Sequence, residues 1–580
     1  MMKKLLFNAL LCIPVIAISQ TTFTNTNNKL VNSGLRSGCA IGVADMNGDG
    51  LDDIVRLDRA RNLQIEYQNT DGNFTRLNYG SISGSGSEWG MAIADLDQNG
   101  YNDVLVGGAY NGVKILTANS TGTDYNETVL GGPNIFVQNV NFADIDNNGT
   151  IDIFACHDDG MSSPYSGNGS GTMTYDASLI STPSTIASDN SGNYGTIWTD
   201  YDNDGDIDLY ISKCRLSAGG LPMDGRRVNL LFQNDGSGNY TDVALAAGLR
   251  PYGQSWASSF EDIDNDGDMD CIVVNHDISS VIYENNGDGT FTDITAASGI
   301  ASELLAMGSG GIQIIMEDFD NDMNVDLFIT ARSGSHRMFK NNGNKTFTEM
   351  ASPFTLPSGP SRIQSAAVGD LNNDGFIDVM AGFATGYNNY SSNPDVIYLN
   401  DGNANNWSEI RLNGLASNIN GIGARIELVA GGITQIREVR SGESYGTMNS
   451  LMTHFGLGAN TTITSITVKW PSGTVDTIIN PNINESIEIT EGDTLGSQDF
   501  TQSIFTIFPN PTKDRIIIQG LQQLENASFE IYDITGKIVL NKTQLSLTQN
   551  QIDLTRLNSG VYFAHLKTNN TTYIHKIIKE

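Results

Sequence analysis

The chain has 580 residues, more than one hydrophobic core usually organises, so several domains or a repeat array are expected. Its 62 glycines and only 17% charged residues suit an all-β chain of short strands and tight turns, with few helices. A formal charge of −34 excludes a phosphate-binding, nucleic-acid surface, which needs clustered Lys and Arg, and points instead to bound cations.

The first 19 residues read as an export signal. Lys3 and Lys4 form a basic start, Leu5 to Ala17 an apolar run, and Ala17-Ile18-Ser19 a small-residue cleavage site before Gln20. The apolar run is shorter than the roughly 20 residues a bilayer span needs, and no later stretch qualifies, so no transmembrane span is expected. Cys12 leaves with the signal. The remaining Cys39, Cys156, Cys214 and Cys271 are too few and too dispersed for a disulfide framework, and buried free thiols are the expectation, with pairing left open.

Seven nonapeptides then recur, opening at Asp45, Asp95, Asp144, Asp200, Asp262, Asp318 and Asp370, with DYDNDGDID at Asp200 as an example. The mean interval of about 54 residues is enough for four short strands with their turns. A short apolar segment enters each loop and another leaves it, and an aromatic-Asn-Gly hairpin follows, as in LFQNDGSGNYTDV and MFKNNGNKTFTEM. The aromatic residue before Thr is expected to pack between repeats.

Within each nonapeptide, positions 1, 3, 5 and 9 carry oxygen side chains at alternate spacing, position 7 offers a backbone carbonyl, and the Gly usual at position 6 permits a sharp reversal. Hard oxygen donors in this pattern suit Ca²⁺, up to seven ions. The expected ligand sets are Asp45, Asn47, Asp49, Leu51 and Asp53; Asp95, Asp97, Asn99, Tyr101 and Asp103; Asp144, Asp146, Asn148, Thr150 and Asp152; Asp200, Asp202, Asp204, Asp206 and Asp208; Asp262, Asp264, Asp266, Asp268 and Asp270; Asp318, Asp320, Asp322, Asn324 and Asp326; and Asp370, Asn372, Asp374, Phe376 and Asp378. Positions 1, 3, 5 and 9 together hold 24 Asp, which repel one another unless a cation intervenes. The loops opening at Asp200, Asp262 and Asp318 have four Asp each and the others one Asn each, so graded affinity is expected. The Asp318 loop has Met323 where Gly is usual, which either forces a strained φ or changes the turn. An EF-hand is excluded, because position 12 falls on Arg56, Val106, Ala155, Ile211, Val273, Ile329 and Ala381, none acidic.

These residues resemble the FG-GAP and VCBS repeats of integrin-α-like propellers, over roughly residues 20–403. The resemblance implies a seven-bladed β-propeller. Thr22-Phe23-Thr24 echoes the last strand of the repeat and is expected to complete the seventh blade and close the ring.

From about residue 404 to 492 the pattern changes to two-residue alternation with Gly-rich turns, a small β domain similar to the ASPIC and UnbV domain. Gly442-Glu443-Ser444-Tyr445-Gly446 matches the G-x-S-x-G of a hydrolase elbow. No helix pattern follows it and His454 comes too soon, so a surface turn is expected. Arg425, Arg437 and Arg440 read as structural arginines on a solvated face, and His157, His276 and His336 have no ligand-spaced partner. A polar linker, 493–504, leads to residues 505–580, where Pro509-Asn510-Pro511, Asp533 to Gly536, Gly560-Val561-Tyr562 and the segment around Lys576 resemble a type IX secretion C-terminal sorting domain. That resemblance implies a Bacteroidetes-type Gram-negative bacterium, a β-sandwich read by the type IX machinery, and delivery across the outer membrane.

The fold expected is therefore all-β, a seven-bladed β-propeller followed by a small β domain and a C-terminal β-sandwich. The function expected is non-enzymatic binding or adhesion outside the cell, to a glycan or protein ligand. The alternative is a carbohydrate-active enzyme or an accessory subunit of polysaccharide breakdown.

Overall fold

The computed structural model describes residues 21–186, 188–215, 225–351, 353–493, 506–519, 528–533, 537–543, 551–567 and 572–580. The signal-sequence reading of residues 1–19 and the linker reading of 494–504 lie outside them. The chain divides into two compact units, Met1–Asp493 and Thr494–Glu580.

The ring of the first unit is built from antiparallel four-stranded sheets, each holding one acidic nonapeptide, the first of them extended by a fifth, parallel strand. Sheet formation follows from the sequence: the segments flanking each loop are rich in β-branched and aromatic residues and are buried on both faces. The first strands are Ile41–Ala44, Glu88–Ala94, Val137–Ala143, Asn193–Thr199, Ser255–Glu261, Gly311–Glu317 and Ser365–Gly369. The second strands open on the ninth residue of each loop, at Asp53, Asp103, Asp152, Asp208, Asp270, Asp326 and Asp378. Each nonapeptide is therefore the connection between the first and second strands of one blade. Successive first strands pack side by side, and Ser365–Gly369 packs back on Ile41–Ala44, so the ring is closed.

Closure also involves the start of the described chain. Phe23–Asn25 pairs antiparallel with Val396–Asn400 as the fourth strand of the last blade, with Phe23 opposite Asn400. Phe23 is buried and stacks on Phe354 at 4.6 Å. Among the described residues the one α-helix is Ala301–Met307, between two blades. The four cysteines Cys39, Cys156, Cys214 and Cys271 are buried and unpaired.

Residues 404–493 form a cap on the ring. A three-stranded sheet (Thr453–Gly458, Asn406–Asn413, Ser486–Thr490) and a four-stranded sheet (Ile433–Glu438, Arg425–Ala430, Ile463–Lys469, Val475–Ile479) enclose Ile410, Leu428, Phe455 and Trp470. This core is continuous with Leu96, Ile151 and Met323 from the acidic loops below, so cap and ring share one apolar interior.

The second unit has a three-stranded sheet (Thr506–Phe508, Arg515–Gln519, Gln551–Asp553) and a four-stranded one (Ile538–Thr543, Ser528–Asp533, Gly560–Lys567, Thr572–Lys579). Both contribute to one core that includes Ile516, Ile518, Phe529, Ile531 and Ile577, a small sandwich.

Candidate functional site

The seven loops share one hydrogen-bond scheme. The first Asp accepts the backbone N–H groups of positions 5 and 6, for example Asp49 (3.1 Å) and Gly50 (2.8 Å) to Asp45, Asn148 (2.9 Å) and Gly149 (2.8 Å) to Asp144, and Asp374 (3.1 Å) and Gly375 (2.6 Å) to Asp370. The ninth Asp is the buried pivot. In loop five, Asp270 accepts the N–H of Ile263 on one oxygen (3.0 Å) and that of Asn285, at the end of the third strand, on the other (2.7 Å). Asp53, Asp103, Asp152, Asp208 and Asp378 do the same in their own blades.

The turn needs left-handed backbone at two places. Position 6 has φ between 79° and 97°, and it is Gly in every loop but one. Position 4 is also left-handed, at Gly48, Gln98, Asn147, Asn203, Asn265, Asn321 and Asn373. The predominance of Asn there follows from its tolerance of that region, a second signature that the sequence carried and that spacing arguments passed over.

The carboxylates converge. Three carboxylate oxygens lie within 4.8 Å of one another in each of the groups Asp95, Asp97 and Asp103; Asp144, Asp146 and Asp152; Asp200, Asp202 and Asp208; Asp262, Asp264 and Asp270; and Asp318, Asp320 and Asp326. The loops opening at Asp45 and Asp370 carry Asn47 and Asn372 at position 3, so they offer fewer charges at the same places. Asp97 Oδ1, Asp202 Oδ1 and Asp320 Oδ1 are buried with no hydrogen-bond partner. Buried, unpartnered carboxylate oxygens are costly, and here they belong to clusters of further carboxylates. Burial lifts the clustered carboxyls above their usual range, Asp103 to about 8, Asp152 to about 7 and Asp208 to about 9. A hard divalent cation relieves both defects, and the residues present fit one. These Asp-rich groups can hold a metal ion.

Loop six departs from the others. Met323 keeps the standard turn with φ 79°, so the first of the two alternatives posed by its sequence holds. Its side chain is buried against Asn460 and Gly458 of the cap. The ammonium of Lys340 pairs with Asp320 and, at 2.7 Å, with Asp322.

The cap lies over the acidic-loop face and touches every loop. Arg411 reaches Asp45 (3.3 Å), Asn420 accepts the N–H of Asp95 (2.8 Å), the carbonyl of Ala416 abuts Gly149, and Arg425 donates to the carbonyl of Asp200 (2.9 Å). Arg440 pairs with Glu261 beside loop five (2.8 Å), Gly458 donates to Asn321 (2.7 Å), and the ring of Trp407 covers Gly375. Arg425, Arg437 and Arg440 are thus at most 9% exposed, not on a solvated face. Glu261, Glu438 and Glu443 balance their charge in the interface. Strand alternation located these side chains on one face but could not reveal that another domain covers it.

The cap also fills the central channel. Residues 441–450 run up it: Thr447–Met448 adds a parallel strand to Ile41 and Gly42, Ser441 bonds to Ile93 and to Phe142, the carbonyl of Ser444 abuts Gly195, and Tyr445 packs on Trp256. Ser444 Oγ accepts the N–H of Ile314 (2.9 Å), and the N–H of Ser450 donates to Val368 (3.0 Å). The Gly442-to-Gly446 motif is therefore no surface turn. Ser444 is 1% exposed and spent on the Ile314 bond, while His454 is bonded to Asn321 instead (2.6 Å). The small residues serve passage through a narrow channel.

At the channel end opposite the acidic loops lies a cavity of about 380 Å³. The topology fixes its place, because its lining residues sit at the starts of first strands (Tyr194, Gln254, Trp256) or just past the ends of second strands (Arg215, His276, Arg332). Trp256 stacks on His276 at 4.5 Å and on Tyr387 at 4.7 Å, and Tyr445 from the cap closes beneath them. None of these residues formed a pattern in the sequence.

Family models match the chain in three regions. They are the FG-GAP-like repeat at residues 45–106, 95–155, 262–329 and 318–381, ASPIC and UnbV at 414–496, and the secretion system C-terminal sorting domain at 506–580. These agree with the three resemblances in the sequence. The sorting domain marks the protein for type IX secretion to the cell surface or beyond, and no helix of the described residues is long and apolar enough to cross a membrane. Among curated proteins, the chain is 26% identical over 288 residues to cartilage acidic protein 1 of Xenopus tropicalis (46% of this chain, 42% of that one). It is 27% identical over 262 residues to the Homo sapiens protein of that name (42% and 37%). The chain thus spans about two fifths of the length of these relatives. Karilysin of Tannerella forsythia matches at 33% over 90 residues, 14% of this chain and 19% of that one. Among solved structures, similarity extends to an Agrocybe aegerita lectin described as recognising non-reducing terminal N-acetylglucosamine (TM-score 0.40, 18% identity, 56% of this chain and 83% of that one). It also extends to BBS1N from its complex with ARL6DN (TM-score 0.39, 10% identity, 66% and 96%).

Proposed function

We propose that the protein is a calcium-stabilised extracellular binding protein, in which the metal loops are architectural and the ligand is a glycan met on the face away from them. The observation that carries this reading is the covering of the acidic loops by the cap, which touches all seven and leaves the opposite channel mouth accessible. Calcium at the clustered carboxylates neutralises charge that the cap would otherwise bury, so metal binding and cap docking support one another.

The test is a calcium titration of the secreted protein followed by melting and glycan-array binding, with and without chelator. The expected result is a melting temperature that rises with calcium and array binding that leaves the glycan intact. A melting temperature indifferent to calcium overturns the architectural role, and release of new reducing ends from a bound polysaccharide overturns the non-enzymatic reading.

A further inference from the structure

Several arginines of this acidic chain have no carboxylate within ion-pairing distance among the described residues, and one that also lines a cavity is free to serve a ligand. Arg332 is one: among the described residues no carboxylate stands within ion-pairing distance of it. Its guanidinium is held in place all the same. Nε donates to the carbonyl of Ser309 (2.9 Å), Nη1 donates to the hydroxyl of Tyr387 (3.1 Å), and the group lies 5.5 Å over the Tyr387 ring. Two of its five N–H donors are used, and the rest remain beside the cavity.

A second, independent observation lies across the same cavity. Trp256 is 4% exposed and its Nε1–H has no partner, although buried indole donors normally find one. Its ring faces are engaged by His276 and Tyr387, so this lining residue has no open face for stacking and its unpartnered N–H is the polar group it has left to give. Gln254 adds an amide to the lining. Arg215 contributes no net positive charge, because Asp158 (2.8 Å) and Asp159 (2.6 Å) pair with it, and Asp158 is further bonded by Gln138 (3.0 Å) and Tyr194 (3.3 Å). The cavity therefore has unused donors and, in Arg332, a guanidinium with no carboxylate of its own, set apart from the Arg215 group, whose two carboxylates leave it one net negative charge.

We infer that the channel mouth binds an acidic saccharide, whose carboxylate or sulfate is held by Arg332 and whose ring oxygens accept from Trp256 Nε1–H and Gln254. A planar guanidinium with free N–H groups suits an oxyanion. The volume falls within the roughly 300–1,000 Å³ of small-molecule sites. This assignment rests on the glycan-binding reading above and names the class of glycan.

The experiment is calorimetry on the calcium-loaded full-length secreted protein with glucuronate oligosaccharides, their neutral methyl esters, and sulfated neutral oligosaccharides, which separate the two sources of the anion. The variants are Arg332→Gln, Arg332→Lys and Gln254→Ala, with melting temperature as the folding control. At least one anionic series is expected to bind, the neutral esters to bind at least tenfold more weakly, Arg332→Gln to lose at least tenfold, and Arg332→Lys to recover part of that loss. Neutral and anionic series binding alike, Arg332→Gln leaving the anionic series unchanged, or an acidic peptide displacing the sugar would each overturn the assignment. Array binding of neutral glycans that survives Arg332→Gln leaves the protein a glycan binder and refutes this site alone, whereas no glycan binding of any kind removes both.

Discussion

Position 6 of loop six shows how one side chain is retained against backbone preference. A left-handed Met costs about 1–2 kcal/mol relative to an unstrained residue, yet Met323 is 5% exposed in the core shared by cap and ring, where burying such a side chain returns about 1.5–3 kcal/mol. The balance favours Met over Gly only because the cap is there to pack against. In the same loop Lys340 supplies a positive charge between Asp320 and Asp322, where a cation would otherwise sit. Replacing it, Lys340→Met, is expected to tighten the weakest calcium-binding step about tenfold or add one ion to the stoichiometry, read by calorimetry, because the metal no longer competes with an ammonium. An unchanged isotherm would show that the ammonium leaves the loop without cost. The sequence ranked this loop among the most acidic, but acidity alone does not rank affinity, because the competing charge comes from Lys340, 14 residues past the last Asp of the loop.

Between elements, four of the blades are tied to the preceding one by a side-chain latch at the end of the third strand. Asn285 donates to the carbonyl of Tyr201 (2.8 Å), Asn341 to that of Ile263 (2.7 Å) and Asn400 to that of Phe319 (2.7 Å), each in the acidic loop of the preceding blade. Gln68 plays this part across the closure, donating to the carbonyl of Asp370 (3.0 Å). In the sequence these residues read only as the start of an Asn-Gly turn, because a turn signal is local and the latched carbonyl is some 80 residues away. Asn341→Ala removes donors to two buried carbonyls, Ile263 and Val325, and is expected to cost about 2–3 kcal/mol in denaturant unfolding. A cost under about 0.5 kcal/mol would mean that water replaces the amide. The closing strand, by contrast, was fully legible, since Thr22-Phe23-Thr24 repeats the pattern of the strands it replaces. The channel-filling segment was not, because its partners come from blades throughout the ring and a Gly-rich stretch has no periodicity from which burial could be read.

For the whole molecule, the arrangement concentrates negative charge on one face of the ring and then covers that face. Without metal, burial favours the protonated form of these carboxyls: it pushes Asp103 to about 8, Asp208 to about 9, and Asp152, Asp200 and Asp262 to about 7. The same groups in the unfolded chain titrate near 4. Between about pH 4 and pH 8 the folded state therefore binds more protons than the unfolded one, and stability falls as pH rises. A divalent cation stabilises the charged carboxylates and removes that slope. In chelator, the melting temperature is expected to decline steadily from about pH 5 to about pH 8, whereas in excess calcium it should hold level, so that the stabilisation due to calcium is largest at the alkaline end. A metal-free melting temperature that stayed constant or rose across this range would mean that the loop carboxylates are not held protonated beneath the cap. The cap, which touches all seven loops, would then dock by its apolar core and arginine pairs alone.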